Sequence, residues 1–338
     1  LFEKLGLPAK KKTKSGYSTG AEVLEGLKNE HPAVSLLLNY RQLAKLKSTY
    51  ADGLQDCIAE DGRIHSTFNQ TEARTGRISS LEPNLQNIPV RTAEGRRLRE
   101  YFNAPAGRVL CDADYSQIEL RVLASMSGDA NMINAFGSGT DIHTVTASQV
   151  FGLPQDMITP ELRSRAKAVN FGIVYGIGAF SLSKDIGVTR AEADRYIKSY
   201  LAAYPGVAAY MEKAIEDAKK NGYVTTLYGR RRYIPELSNS NGNMRAFGER
   251  VARNAPIQGT AADIIKIAMI KVSRSLKDEF PTARLILQVH DELIVECDEK
   301  DAEGICTLLE REMESAADLA VRLTAEAHFG KTWLEAKA

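Results

Sequence analysis

The 338-residue sequence lacks the marks of several protein classes. No uninterrupted apolar run reaches the roughly 18 to 20 residues that a spanning helix needs, and residues 1–4 do not begin a signal-peptide pattern. Glycine and proline, at 25 and 11 residues, are near average usage, which excludes collagen-like and linker-like chains. A hydrophobic share of 43% and a charged share of 26% predict a globular chain with a large core, which we expect to be soluble and intracellular.

Cysteine is also scarce. The four cysteines are Cys57, Cys111, Cys297 and Cys306, and none of them forms a CxxC pair. This spacing argues against a zinc site and against a disulfide framework. We therefore interpret them as reduced thiols of the core.

The net charge of +1 hides an uneven distribution. Residues 291–338 hold 13 acidic and 5 basic residues, a balance of −8 that leaves +9 for the rest of the chain. Basic clusters of the earlier part lie at 10–12, 96–99, 163–167, 230–232 and 245–253. Such clusters suit an anionic polymer, but solvated helix faces explain them equally well, so charge alone leaves a nucleic-acid partner open.

Hydrophobic periodicity predicts the main helices. A Lys-, Ser- and Gly-rich connection at 10–20 precedes predicted helices over 21–27 and 33–50, the second of which has a basic face. The chain is mostly helical over 119–220, with breaks at Gly and Pro. A long helix is predicted over 244–276.

Acidic residues stand at the ends of predicted strands. The apolar residues 109–111 predict a strand that leads into Asp114, and residues 285–289 and 293–295 predict a hairpin whose turn holds Asp291. If these strands adjoin, the two carboxylates could share a pair of divalent ions for in-line displacement at phosphorus, and hard oxygen ligands favour Mg²⁺. Taken alone, each acid is better explained as a turn or helix cap.

One further helix combines cations with aromatic residues. It is predicted to begin at the N-cap Thr159, with Pro160 in its first position, and to stop at Gly176. Residues four apart lie about 40° further around the helix, so they form one slowly winding stripe. The stripe consists of Arg163, Lys167, Phe171 and Tyr175. It could clamp a triphosphate beside a sugar and base, or it could be an ion-pair row leading into an ordinary core contact.

Three motifs, in their order along the chain, resemble those of DNA polymerase family A, the DNA polymerase I family. They are Asp114-Tyr115-Ser116-Gln117-Ile118-Glu119-Leu120-Arg121, then Arg163-x3-Lys167-x3-Asn170-Phe171-Gly172-x2-Tyr175-Gly176, and then Gln288-Val289-His290-Asp291-Glu292. Supporting similarity at 75–80, 83–89 and 254–263 extends the resemblance over nearly the whole chain. Any one motif could arise by chance, but the ordered combination is specific.

The resemblance implies an α+β right-hand polymerase fold with an antiparallel palm sheet, helical fingers and a partial helical thumb. It implies thumb residues at 1–55, a palm formed by 56–124 and 240–338, and fingers at 125–239. The family's exonuclease and 5′-nuclease domains have no counterpart in this sequence. We therefore expect no proofreading exonuclease in this chain.

The resemblance also implies template-directed DNA synthesis. The primer 3′-hydroxyl would attack the α-phosphorus of a deoxynucleotide, and pyrophosphate would leave. Asp114 and Asp291 would hold two Mg²⁺ ions, with the Tyr115 carbonyl as a further ligand and Glu292 as an accessory one. Asp112 could reach the same side of an extended strand, but the family motif does not include it, and we interpret it as a peripheral acid.

Further roles follow from the resemblance. Lys167 could also protonate the departing pyrophosphate, and Glu119 is expected to exclude a ribose 2′-hydroxyl unless it only pairs with a base such as Arg121. The implied nucleotide contacts are Arg163, Lys167, Phe171, His143, Gln117, Glu119 and Tyr175. The implied DNA contacts are Arg77, Arg250, Asn254, Gln258, His290, Arg41 and Lys45. Asn254 and Gln258 could instead be a helix-surface pair, and Arg41 and Lys45 could belong to a merely solvated face.

The implied partners are primer-template DNA and dNTP substrates, without a membrane, for a monomer that serves DNA replication and repair. The implied location is the bacterial cytoplasm near the nucleoid, or an organelle. Three other functions stay open: a single-subunit RNA polymerase, a DNA-binding module without turnover, and a metal phosphohydrolase built on His290 and Asp291. The phosphohydrolase would need further histidine ligands.

Overall fold

A computed structural model describes residues 1–9, 12–14, 16–90 and 92–337, and the chain forms two compact units. The first unit comprises residues 1–67 and 80–99, and the second comprises 68–79 and the residues from 100 onward. Lys10 and Lys11 of the first basic cluster lie outside the described residues. Within the described ranges, no helix combines the length and the apolarity needed to cross a membrane.

The first unit consists of short helices and a small antiparallel pair of strands. Its elements are α1 (Phe2–Leu5), β1 (Lys12–Thr13), β2 (Gly16–Tyr17), α2 (Ala21–Glu25), α3 (Pro32–Lys45), α4 (Gly53–Gln55) and α5 (Ala93–Arg97). The segment predicted as a connection thus contains the β1–β2 pair. The helix predicted over 33–50 changes to a wider π-helical coil over Leu46–Asp52, and Leu24, Leu27 and Val34 form the buried core.

Strands β3 (Thr67–Asn69) and β4 (Ser79–Leu81) lie where the chain passes between the units. The second unit then begins its main sequence of elements. They are β5 (Arg108–Tyr115), α6 (Ile118–Ser127), α7 (Ala130–Gly137), α8 (Ile142–Phe151), α9 (Pro160–Val174), α10 (Ala179–Ile186), α11 (Arg190–Ala203), α12 (Pro205–Asn221), β6 (Tyr223–Thr225), β7 (Arg231–Tyr233), α13 (Gly242–Glu279), β8 (Arg284–Val289), β9 (Glu292–Asp298), α14 (Ala302–Glu314) and β10 (Ala325–Gly330).

A four-stranded antiparallel sheet organises the second unit. Its order is β10-β5-β9-β8, so β5 is paired on both sides. The sequence predicts a strand only over 109–111, because Asp112 and Asp114 interrupt the apolar run. In the structure, the two flanking strands supply backbone partners and carry β5 on to Tyr115. The predicted hairpin is confirmed as β8 and β9, with His290 and Asp291 at its turn.

Helices pack on this sheet through one continuous core. Buried residues of β5, β9, α6, α13 and α14 form a single cluster, to which the helices over 118–221 also contribute. Helix α13 is longer at both ends than predicted and continues through Pro256, which lies inside it. All four cysteines are free thiols. Cys111, Cys297 and Cys306 are buried as expected, with the Sγ atoms of Cys111 and Cys297 3.5 Å apart, whereas Cys57 is only half-buried in the first unit.

Candidate active site

The fold brings Asp114 and Asp291, which are far apart in sequence, to one end of the sheet. Asp114 on β5 stands directly opposite Glu292 on β9. The Tyr115 N–H donates to the Asp291 carbonyl at 3.2 Å, so the hairpin turn lies against the end of β5. The strands therefore adjoin, as the metal hypothesis requires. His290 at this turn has a φ of 57°, a left-handed conformation that is uncommon for a non-glycine residue.

Like charges crowd this end of the sheet. Withdrawal from water, together with the nearby charges of Asp114 and Glu119, raises the pKa of Asp291 to about 7. Asp112 is only 2% exposed, and burial together with a hydrogen bond shared with Glu292 raises its pKa to about 9. Burial and mutual repulsion thus disfavour the charged forms of these carboxylates, and binding of a cation would offset that penalty.

Two residues near 335 complete the cluster, and sequence reasoning missed both. The indole Nε1 of Trp333 donates to Asp112 at 3.1 Å and to Glu292 at 2.9 Å. The Lys337 ammonium lies 2.9 Å from Asp114 Oδ2 and 2.6 Å from Glu292 Oε2. Burial opposes the charge on Lys337, but the carboxylates outweigh it and raise its pKa. The sequence offers only one signal for these two residues, a single Trp and a Lys that follow the last strand and belong to no motif.

The donor set of the cluster suits a hard divalent ion. Asp114, Asp291 and Glu292 offer carboxylate oxygens, which such ions prefer. Across the described ranges, no group of three His, Cys, Asp or Glu side chains stands ready to hold a metal. Lys337 Nζ lies within ion-pair distance of both Asp114 and Glu292. The oxygen donors of these three residues therefore fit a divalent ion in their chemistry.

Helix α9 presents its predicted cations beside α8. Thr159 caps it by accepting from the Leu162 N–H, and Pro160 takes the first helical position, as predicted. Arg163 makes two hydrogen bonds of 2.9 Å to Asp141, the residue that caps α8. Burial disfavours the charged form of Asp141, but hydrogen bonds from Arg163 and Thr144 outweigh it and lower its pKa to about 2. This planar pair fixes the direction of the guanidinium.

The remaining predicted residues of this helix differ in exposure. Lys167 is exposed, whereas the Phe171 and Tyr175 rings stack with centroids 6.3 Å apart. His143 is only 2% exposed, and its Nδ1 accepts from the Asn170 side-chain amide at 3.0 Å. Burial lowers the pKa of His143 to about 4, which keeps the ring neutral. In this arrangement His143 supports α9 from within, and its contact with a triphosphate stays a prediction.

Glu119 lies between the acidic cluster and α9. Its Oε1 accepts from Arg77 Nη2 at 2.6 Å, and its side chain is buried. Arg121, the base suggested as its partner, instead donates to the Ser116 and Arg322 carbonyls. Burial, followed by the charge of Glu119, raises the pKa of Tyr175 to about 12. Glu119 therefore lies beside Tyr175 and pairs with Arg77 rather than Arg121, and its role at the sugar stays a prediction.

The predicted DNA contacts of α13 share one face of that helix. Arg250, Asn254 and Gln258 recur every four residues, and a Cβ at Gly176 would lie 3.3 Å from Arg250 Cγ.

Sequence reasoning assigned no role to Arg230, whose guanidinium makes hydrogen bonds of 2.8 and 2.6 Å to Asp263 of α13. This ion pair fixes the β6–β7 hairpin to α13.

The basic residues predicted for the first unit lie on α3. Arg41 is exposed and donates to the Thr19 carbonyl, and a second bond of 3.0 Å reaches the Thr19 hydroxyl. Lys45 is exposed one turn further on. Their predicted contact with duplex phosphates therefore remains a prediction.

Nearly the whole chain matches one protein family. The sequence model of the family described as "DNA polymerase family A" matches residues 1–335. DNA polymerase I of Geobacillus stearothermophilus is 51% identical over all of this chain and 39% of its own length, and that of Bacillus subtilis (strain 168) is 52% identical over 38% of its length. The chain thus spans about 39% of the length of these curated relatives.

A solved structure agrees with these relatives. It is the polymerase domain of Pol1 from M. smegmatis in complex with a DNA primer-template and dNTP, and it is 46% identical, with a TM-score of 0.94 over all of this chain and 60% of its own. This match confirms the predicted fold class, an α+β right-hand polymerase fold with an antiparallel sheet. The chain belongs to DNA polymerase family A. Divalent metal ions are the general cofactors of that family.

Proposed function

We propose that this chain catalyses template-directed addition of deoxynucleotides to a primer 3′-hydroxyl. The observation that carries the proposal is the meeting of Asp114 and Asp291 at one end of the sheet, in the unit that also holds the cationic stripe of α9. The primer-template and dNTP bound by the M. smegmatis domain support the same partners for this chain. The location that we propose is the bacterial cytoplasm near the nucleoid, and the bacterial origin of the relatives supports only the bacterial part of it.

The cofactor is proposed to be Mg²⁺, as two ions held by Asp114 and Asp291, with the Tyr115 carbonyl and Glu292 as further ligands. When bound, such ions activate the attacking oxygen and neutralise charge on the leaving one. Hard oxygen donors and the repulsion among these buried carboxylates, which a cation would offset, support this assignment. Asp112 stays outside the proposed ligand set because the family motif, which begins at Asp114, does not include it.

The reaction forms a bond between the primer O3′ and the α-phosphorus, and it breaks the bond from that phosphorus to the bridging oxygen of pyrophosphate. Arg163 is proposed to hold the triphosphate, with its guanidinium oriented by Asp141. Lys167 is the proposed proton donor to the leaving pyrophosphate, since it is exposed on the same stripe. The stacked Phe171 and Tyr175 rings would face the incoming sugar and base.

The domain roles are part of the same proposal. Residues 1–55 are proposed as the partial thumb, 56–124 and 240–338 as the palm, and 125–239 as the fingers. The four-stranded sheet drawn from the two palm ranges supports the palm assignment, and α7 to α12 support the helical fingers. Arg77, Arg250, Asn254, Gln258 and His290 are the proposed primer-template contacts near the new base pair.

Extension of a labelled primer on a defined template tests the function. We expect addition of dNTP in preference to NTP, which also separates this proposal from an RNA polymerase. Asp114→Ala or Asp291→Ala should abolish extension while primer-template affinity stays within about threefold, because phosphate contacts elsewhere supply most of the binding. Near-normal extension by either variant would show that the metal assignment is wrong. Binding without extension by the unmodified chain would favour a module without turnover.

A further inference from the structure

The turn Glu335–Lys337 places a positive charge inside the acidic cluster. Lys337 Nζ lies 2.6 Å from Glu292 and 2.9 Å from Asp114, whose strands pair in register at these two residues. Asp112 follows at 3.9 Å. A cation thus bridges two of the carboxylates that the proposed function assigns to metal ions.

The fold itself determines where this ammonium lies. The Trp333 N–H donates to the Phe102 carbonyl at 2.9 Å, and the rings of the two residues meet edge to face at 5.5 Å. The Glu335 carboxylate accepts from the Lys331 N–H at 2.8 Å. A Cβ at Gly330, at the end of β10, would lie 2.8 Å from the Ala336 nitrogen, so the turn is seated directly on the strand. The position of Lys337 is therefore a property of the packed turn.

We propose that Lys337 is the resident counter-cation of the acidic cluster and competes with a divalent ion for Asp114 and Glu292. The inference rests on the proposed function in one respect, the presence of a divalent ion at Asp114. An ammonium and a divalent ion repel each other strongly at contact distance in a site withdrawn from water, so both cannot hold the same carboxylates. Lys337 can leave because its side chain is partly exposed and its stem is flexible.

The exchange gives Lys337 two effects of opposite sign. Without a divalent ion, it offsets the repulsion between Asp114 and Glu292 and holds them in register. When a divalent ion arrives, the same contacts must be broken, which lowers the affinity for the ion. Lys337 is therefore a positioning residue, and replacing it by a neutral residue should tighten ion binding while weakening the ion-free fold.

Trp333 supplies a direct optical readout of this exchange. It is the single tryptophan of the sequence, it is buried, and it donates to the same Glu292 that Lys337 contacts. Its emission should change when the charge beside Glu292 changes. Trp333→Phe provides the control that assigns the signal.

The experiment titrates Mg²⁺ into the intact protein and into Lys337→Gln, Lys337→Arg and Lys331→Gln, with Trp333 emission as the readout. Mn²⁺ binding followed by electron paramagnetic resonance gives an independent affinity. Lys337→Gln should bind either ion about three- to tenfold more tightly, the range expected for a partly screened ion pair. Lys337→Arg should stay near the parent value. Lys331→Gln should do so as well, because Lys331 pairs with Glu299 rather than with the cluster.

A second measurement needs no variant and stays valid if Lys337→Gln folds poorly. An amine-acetylating reagent should modify Lys337 several-fold faster with Mg²⁺ than without it, whereas the rate at Lys331 stays constant, as read by mass spectrometry. Equal or weaker ion binding by Lys337→Gln, or a Lys337 modification rate that Mg²⁺ leaves unchanged, overturns the inference.

The proposed function fails separately from this inference. Failure of the parent protein to extend a primer with dNTP and Mg²⁺ would contradict the proposed function, whatever Lys337 does. Normal extension by the parent, together with unchanged ion affinity in Lys337→Gln, would leave the proposed function intact and remove only the counter-cation role.

Discussion

The Glu119 side chain can act through its charge or through its size. Its carboxylate pairs with Arg77 at 2.6 Å, and its bulk lies beside Tyr175, where the sugar of a nucleotide is proposed to bind. A charge effect and an exclusion effect can therefore be separated by two substitutions at this one residue.

We predict that Glu119→Ala raises ribonucleotide incorporation relative to deoxynucleotide by at least about tenfold, because removing the side chain opens room for a 2′-hydroxyl. Glu119→Gln keeps the size and loses the ion pair with Arg77, so it should retain most of the selectivity. Single-addition kinetics with each nucleotide measure the ratio. An unchanged ratio in Glu119→Ala, with deoxynucleotide incorporation intact, would remove Glu119 as the sugar gate.

His143 gives a prediction about acid stability. Its folded-state pKa is about 4, chiefly because it is buried, against an ordinary value of 6.5. The unfolded chain therefore binds a proton in a range where the folded chain does not, and stability should fall as pH drops from about 6.5 toward 4. From pH 7 to pH 5 this single group should cost about 2 kcal/mol.

Urea unfolding at several pH values measures this effect. His143→Gln, which cannot titrate, should lose less stability than the parent over the same interval, although its own stability at pH 7 should be lower because the bond to Asn170 is disturbed. The prediction is wrong if the two proteins show the same slope of unfolding free energy against pH between 7 and 5.

Helices α8 and α9 are joined at their N-terminal ends by Asp141. It accepts from the Thr144 N–H at 2.8 Å as the cap of α8, and it holds Arg163 of α9 through two further bonds. One carboxylate thus both begins a helix and aims the guanidinium proposed to bind a triphosphate.

Asp141→Ala should lower the free energy of unfolding by about 1 to 2 kcal/mol, since a cap and an ion pair are lost together. It should also raise the KM for dNTP, because Arg163 loses its orientation. Asp141→Asn can still cap the helix, so its stability should be close to that of the parent. Its KM for dNTP should lie between the values of the parent and of Asp141→Ala. If Asp141→Ala changed stability and left the KM unaltered, the orienting role would be excluded.

At the scale of the whole molecule, the uneven charge is compatible with the DNA partner of the proposed function. The net +9 of residues 1–290 stands against −8 in the remainder. Binding to DNA should therefore release counterions and weaken steeply with added salt. The first unit contributes the exposed basic face of α3, whose role the sequence leaves open between phosphate contact and solvation.

We predict that Arg41→Ala combined with Lys45→Ala reduces the slope of log affinity against log salt by roughly one to two, as expected for the loss of one or two phosphate contacts. Lys28→Ala is the matched control, because Lys28 pairs with Glu25 in the same unit. Fluorescence anisotropy of labelled primer-template over a range of salt measures both slopes. If the double variant and the Lys28→Ala control showed the same slope, the basic face of α3 would be merely solvated.

Much of the site could be predicted from sequence because its chemistry is concentrated in short motifs. The stripe on α9 follows from helical spacing, and the cap Thr159 and Pro160 set its start. Asp114 and Asp291 could be placed at strand ends because apolar residues precede each of them. Long-range pairing could not be predicted in this way. The partner of Glu119 was expected nearby in sequence, whereas the structure brings Arg77 to it from 42 residues away.

The order of three motifs along the chain is enough to assign the family, and local residue patterns are enough to assign most of the helices and strands that carry these motifs. Tertiary structure alone decided which charges meet. Asp114 lies beside Glu292 because β5 pairs with β9 in one register, and Lys337 reaches both because its turn is seated on β10. A motif records neighbours along the chain. The electrostatic balance of the cluster instead depends on distances between carboxylates and an ammonium more than 40 residues apart, and those distances exist only after the sheet has formed.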